Sequence, residues 1–341
     1  MTKVLVTGAS GYIAKHIVLQ LLQAGYEVRG SVRSISRGRE VADAVRPHLD
    51  PNTDLDQLLT FVELDLTADN GWSEAMEGID VLLHTASPFP MKAPKNENDL
   101  IRPAVDGTLR ALRAAAQSGV NRVVLTSSTA SVLYRPLPEN ARPFDESHWS
   151  DPAYASCSAY AKSKTLAERV AWDFVSSQAP EIQMTAINPG FVIGAPLDQK
   201  FGTSMQTIIR LLSGKDPALP RVGFCSVDVR DVAAAHVRAI DNADSHGLRV
   251  LVVERFMWFA DIAQALADAC PNRKVVTRLA PNWLVRLLGL FNAQIRSITP
   301  LLGQKLDVSN ARAKELLAIE FYDTRKSAAE SAAYLIDHKL V

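Results

Sequence analysis

Tyr160 and Lys164 lie four residues apart in Tyr160-Ala161-Lys162-Ser163-Lys164, one helical turn, and so share a face. The stretch 158–174 contains good helix formers and neither Pro nor Gly, which predicts the helix that this spacing requires. A phenol titrates near pH ~10, and a neighbouring ammonium favours its ionised form. Lys164 is therefore expected to lower the Tyr160 pKa. Tyr154 has no lysine four residues on and is a poorer candidate. A second group, Thr126-Ser127-Ser128-Thr129, follows the apolar run 122–125. A serine beyond the carboxyl end of a strand can donate to a substrate carbonyl as charge develops on it. Ser128, Tyr160 and Lys164 thus form a candidate set for proton transfer to a carbonyl oxygen, with Thr129 read as a cap.

Such a set needs a redox partner. Thr7-Gly8-Ala9-Ser10-Gly11-Tyr12-Ile13-Ala14 lies between an apolar run and a helical pattern. Gly8 and Gly11 allow close backbone approach to a pyrophosphate, the helix starting near Tyr12 offers its positive end, and Ala14 permits tight packing. The spacing is Gly-x-x-Gly-x-x-Ala, a variant of the usual dinucleotide fingerprint. After the second strand, where NAD enzymes place a carboxylate, the chain has Arg33, Arg37 and Arg39. A guanidinium grips a 2′-phosphate that a carboxylate would repel, so NADP(H) is the expected cofactor. Arg33 is the first candidate and Arg37 the second, with Arg39 a solvated charge.

Positioning these groups requires a particular scaffold. Short β-branched runs at 3–7, 26–32, 61–64, 81–84, 122–126 and 184–187 alternate with helical patterns such as 14–23. That alternation predicts an α/β protein, a Rossmann-type doubly wound parallel sheet covered by helices on both faces. After Pro189 the pattern changes, with helices expected at 261–269 and 311–319 and one more strand at 247–253. The expected division is a dinucleotide-binding domain over 1–188 and 223–253, and a smaller, mostly helical substrate-binding domain over 189–222 and 254–341. The apolar segment 283–295 carries only Arg286 nearby, with Arg296 beyond. With no basic polar face it reads as a core or pocket-covering helix rather than a membrane-surface one.

Lys plus Arg and Asp plus Glu number 37 each, which gives no electrostatic case for nucleic acid or an anionic membrane as main partner. The three cysteines, Cys157, Cys225 and Cys270, form no CxxC pair, which suits a reducing compartment and predicts neither disulfides nor zinc. The histidines do not cluster at ligand spacing, and no metal is expected. The N-terminus reads straight into a strand, without the layout of a signal peptide, and a cytoplasmic protein is expected.

The chain resembles the extended short-chain dehydrogenase/reductases, and within them the dihydroflavonol reductase, cinnamoyl-CoA reductase and aldehyde/ketone reductase branch. The likeness rests on the 7–14 turn, Asp65-Leu66, His84-Thr85-Ala86-Ser87-Pro88, Thr126-Ser127-Ser128 and Tyr160–Lys164 running on to Glu168. It rests also on Asn188-Pro189-Gly190-Phe191-Val192 and the segment 227–233. It implies adenine contacts from Asp65 and Leu66, and cofactor contacts from Thr85, Ala86, Ser87, Thr126, Ser127, Pro189, Gly190, Val192 and Ser204, beside Thr7, Gly8, Ser10, Gly11, Tyr12 and Ile13. Substrate walls are expected from Phe89, Pro90, Phe191, Ser204, Met205 and the helix after Trp283. Asp228 and Arg230 are expected to form a structural ion pair, and the Asp145–Trp149 loop to be structural. Two departures narrow the reading. The helix before the serine strand offers no Asn for a proton relay, and Val132 stands where plant dihydroflavonol reductases bind flavonoid hydroxyls. The expectation is reversible NADPH-dependent reduction of an aldehyde or ketone by a monomer or homodimer. An NAD-dependent sugar-nucleotide epimerase or dehydratase, a hydroxysteroid dehydrogenase and a non-catalytic dinucleotide sensor are the alternatives.

Overall fold

A computed structural model describes residues 1–88, 96–137 and 143–341, without the side chains of 293 and 294. Seven strands form one parallel sheet: β1 (Lys3–Thr7), β2 (Glu27–Val32), β3 (Leu59–Glu63), β4 (Val81–His84), β5 (Arg122–Thr126), β6 (Gln183–Pro189) and β9 (Arg249–Val252). Their order is β3-β2-β1-β4-β5-β6-β9. Chain direction across the sheet reverses between β1 and β4, so a crevice opens at their carboxyl ends, where ligands of such sheets bind.

Side chains of each strand alternate between two buried faces. Val4, Val6, Leu83, Val124 and Ile187 pack with the helices Tyr12–Gln23 and Val229–Asp241. Leu5, Leu82, Val123, Leu125 and Met184 pack against the helices Asn98–Gln117 and Ala159–Gln178. Burial on both faces explains why these strands read as unbroken apolar runs.

The strand expected at 247–253 is β9, whereas the stretch 223–228, expected within the dinucleotide-binding domain, forms a strand outside the main sheet. β7 (Phe191–Ile193), β8 (Gly223–Asp228) and β10 (Arg255–Trp258) form a separate sheet, β8 parallel to β7 and antiparallel to β10. Its core joins Ile193 and Met257 to the helices Thr203–Leu212, Phe259–Ala269 and Thr324–Asp337. Gly190 makes this possible, because a Cβ there would stand 2.1 Å from the Cys225 carbonyl oxygen. The Arg230 guanidinium donates twice to Asp228 at 2.8 Å and reaches Glu330 at 2.6 Å, fastening β8 to the C-terminal helix.

The segment 283–295 departs most from expectation. It forms two short helices, Asn282–Gly289 and Ala293–Ile298, and only Val285 and Gly289 of the first are buried. Trp283 is 66% and Phe291 83% exposed. Two turns of helix with Leu on every side cannot bury all of them against one small cluster, Val222, Val285 and Leu302.

Candidate active site

The glycine turn sits at the crevice. Gly8 has φ +67°, and a Cβ on it would meet Ala86 Cβ at 3.0 Å, so both the backbone sign and the close β1–β4 approach demand glycine. Gly8 and Ala9 N–H donate to Ser31 Oγ and its carbonyl at 3.0 and 2.9 Å. The helix that follows has no side-chain cap and no acidic residue in its first turn. Its positive end is thus left for an anion, which suits a pyrophosphate.

Beyond β2, Arg33 is exposed and makes no ion pair among the described residues. Arg37 pairs with Glu40 at 3.5 Å and Arg39 with Asp43 at 3.7 Å. Of the three, Arg33 has its charge uncommitted. Asp65 is exposed, its carboxyl held below the usual range chiefly by the Thr67 backbone N–H and hydroxyl.

The hydroxyl residues near the crevice divide into two kinds. Thr7 Oγ1 accepts from the N–H groups of Thr85 and Ala86 at 3.1 Å. Its proton therefore goes to His84 Nδ1, 3.0 Å away, which leaves the His84 proton on Nε2. Thr126 donates to His236 Nε2 at 2.7 Å, since the His236 Nδ1–H is given to the Val232 carbonyl. Ser127 donates to the buried Glu168 carboxylate, and Tyr12 to the Gly194 carbonyl at 2.7 Å. These four side chains, expected at the cofactor, are taken up inside the protein. Ser128 is the other kind. It caps the short turn Thr129–Ser131, accepting from Ala130 N–H at 3.1 Å, and its hydroxyl lies close enough to the Tyr160 phenol to lower its pKa.

Tyr160 and Lys164 lie in the first turns of the helix Ala159–Gln178, capped by Ser158, which accepts from Ala161 N–H at 3.2 Å. Burial raises the Tyr160 pKa, and the opposing influence is the Ser128 hydroxyl. The lysine was expected to do this lowering. Desolvation instead acts on the lysine itself, bringing Lys164 down to about 8 against the pull of Glu168. Its Nζ lies 3.5 Å from the Thr126 carbonyl.

Sequence reasoning missed the support behind this set. Glu168 Oε2 accepts from Ser127, from Ser131 at 2.6 Å and from Asn188 at 2.8 Å, and Oε1 accepts from Arg249 Nε at 2.6 Å. Arg249 also donates to the Glu146 and His148 carbonyls and stacks over Trp149 at 3.7 Å. One buried ion pair thus ties β5, β6, β9, the helix Ala159–Gln178 and the 145–149 loop together. Glu168, one turn beyond Lys164, carried a faint signal in its spacing; Arg249 carried none.

On the substrate side, Phe191 is half-buried and stacks on Phe224 with ring centroids 5.0 Å apart. Met205 is a correction: it is fully buried with Ile193, Ile208 and Leu211 and cannot line a pocket, because the apolar face of its helix turns to the core. Val192 likewise packs in the sheet core. Pro189 ends β6, and Ser204 begins its helix half-buried. Leu66 lies beneath Gly107, 3.2 Å from where a Cβ would stand. Phe89 and Pro90 lie outside the described residues.

The model of the NAD dependent epimerase/dehydratase family matches residues 4–253. The chain is 36% identical to cinnamoyl-CoA reductase CAD2 of Medicago truncatula over 281 residues, covering 81% of this chain and 83% of that one. It is 30% identical to the NADPH-dependent methylglyoxal reductase GRE2 of Saccharomyces cerevisiae over 98% of both chains. The solved structure of yeast methylglyoxal/isovaleraldehyde reductase Gre2 complexed with NADPH superposes with a TM-score of 0.82 at 27% identity, covering 100% of both. With the glycine turn, the parallel sheet and the serine–tyrosine–lysine set, these likenesses place the chain in the epimerase/dehydratase family of extended short-chain dehydrogenase/reductases.

Proposed function

We infer that this protein is an NADPH-dependent reductase of aldehydes or ketones, with Tyr160 as its acid/base. The observation that carries the reading is the placement of the Ser128 hydroxyl close enough to the Tyr160 phenol to lower its pKa, with Lys164 one turn along the same helix. A carbonyl oxygen entering between the two hydroxyls receives a hydrogen bond from each. When bound, the reduced nicotinamide supplies hydride to the carbonyl carbon. Tyr160 gives its proton to the oxygen, Ser128 steadies the developing charge, and the Lys164 ammonium favours the phenolate left behind. Arg33 holds the 2′-phosphate, the 8–13 turn the pyrophosphate, and Ala86, Ser87 and Pro189 border the cofactor. Relatives that bear the names of NADPH-dependent reductases support the same cofactor. The reading includes two units, 1–188 with 223–253 for the dinucleotide and 189–222 with 254–341 for substrate. It also includes a cytoplasmic setting, a monomer or homodimer, and no nucleic-acid partner.

The test is loss of NADPH absorbance with a panel of aldehydes and ketones. Turnover of at least one carbonyl with NADPH, and at least tenfold less with NADH, is expected. No turnover on any carbonyl, with a dinucleotide retained through purification, would favour an epimerase or dehydratase.

A further inference from the structure

The chain is electrically neutral as a whole, yet its charges are not evenly spread. Residues 269–306 contain Arg273, Lys274, Arg278, Arg286, Arg296 and Lys305 and no Asp or Glu, a run of six positive charges with no acid within it. Lys305 pairs with Asp307, and Arg273 donates to the Val341 carbonyl. Lys274, Arg278, Arg286 and Arg296 are exposed and, among the described residues, form no ion pair. Arg296 reaches back to the Gly289 and Leu290 carbonyls, which sets its charge at the end of the helix Asn282–Gly289.

Trp283, Leu287 and Leu288 on this helix, and Leu290 and Phe291 directly after its last turn, are each 46–83% exposed. Exposed tryptophan, phenylalanine and leucine, flanked by guanidinium groups, is the composition of a helix lying in a membrane interface. Trp and Phe enter the headgroup boundary, and arginine stems lie along the apolar surface with the charge in water. A second copy of this chain is a poorer occupant. A two-fold interface sets the same patch against itself and brings Arg286 and Arg296, exposed and without an ion pair among the described residues, against their own copies. An anionic surface is what the charge demands, and an apolar boundary beneath it is what the exposed apolar side chains demand.

We propose that 282–291 docks this protein peripherally on bilayers rich in anionic phospholipid. No helix among the described residues is long and apolar enough to cross a membrane, so docking here means lying on the surface. The sequence favoured burial for this segment; the structure leaves its apolar side chains exposed and holds the Arg296 guanidinium at the Gly289 and Leu290 carbonyls beside them, with Arg286 on the same helix.

The test mixes the full chain with vesicles of phosphatidylcholine alone, or containing 30% phosphatidylserine, and follows co-flotation. Flotation with the anionic vesicles only is expected, abolished by 0.5 M salt. Arg286→Glu and Arg296→Glu should each lower partitioning about fivefold or more, and Trp283→Ser with Phe291→Ser should abolish it. Unchanged urea midpoints would show that these variants are folded. Absence of flotation by the parent on either vesicle overturns the proposal. So does equal binding by the Trp283/Phe291 variant, and so does a parent dimer that the same substitutions dissociate without any vesicle binding. An acidic peptide that binds the patch while vesicles do not would reassign it to a protein partner. Carbonyl turnover in the absence of vesicles reports on the reductase reading separately.

Discussion

At the scale of single residues, the site makes sharp demands. Tyr160→Phe removes the proton donor and leaves the ring, so kcat should fall about 10²–10⁴-fold while NADPH affinity, read by fluorescence titration, stays within a factor of about three. Lys164, brought down to about 8 by burial, loses its charge as pH rises through that value. The rate of reduction, kcat/KM, should therefore decline above about pH 8, and a Lys164→Arg variant, whose charge does not titrate, should lack that decline. Arg33→Ala should raise the KM for NADPH about 10-fold or more, the loss of one charge-assisted contact, and leave the KM for NADH nearly unchanged. Ser128, Tyr160 and Lys164 were legible in the chain because helical spacing and strand-end placement are local. The bonds that take up the Thr7 and Ser127 hydroxyls were not legible, because their partners, His84 and Glu168, lie 77 and 41 residues away. A hydroxyl beside a ligand and one that locks two strands look alike in sequence.

At the scale of elements, Glu168 and Arg249 decide whether the catalytic strand and helix keep their relation. Removing one charge of a buried pair leaves the other without compensation, which costs roughly 3–5 kcal/mol. Glu168→Gln and Arg249→Met should each lose stability of that order in urea unfolding. The double variant should lose less than the sum, because the two act as one unit. The strands were legible from apolar runs, since burial on both faces removes polar residues from them. β7 and β10, three and four residues long, were too short to show a period, and β8 shows one without revealing which sheet it joins. The 283–295 segment misled for a related reason: apolar composition indicates that a surface will be covered, and it says nothing of whether protein does the covering.

At the scale of the whole molecule, three histidines are buried neutral. Burial lowers His84 to about 3 and His16 and His236 to about 4. Each folded-state value lies below the unfolded one near 6.5, so the unfolded chain takes up protons first as pH falls, and stability is lost from about pH 6.5 down to about 4. Asp231, raised by burial to about 7, acts oppositely throughout this range, since the folded state holds its proton from about pH 7 down to the unfolded value near 4, and it offsets one histidine. The net is about two protons, roughly 3 kcal/mol per pH unit, which urea midpoints at pH 6.5 and 5.5 should register. The buried Glu168–Arg249 pair also has a consequence in time. Arg249 follows Glu168 by 81 residues, and β9, which carries it, closes the sheet only after the whole excursion through β7 and β8. At ribosomal speeds of about 5–20 residues per second, the nascent chain makes its catalytic helix about 4–16 s before the cation that neutralises it. The first 188 residues hold every group of the proposed acid/base set and lack what locks them together. Such a chain, released early, should be a compact reductase half that binds chaperones, and its commitment to the native state waits for a single arginine.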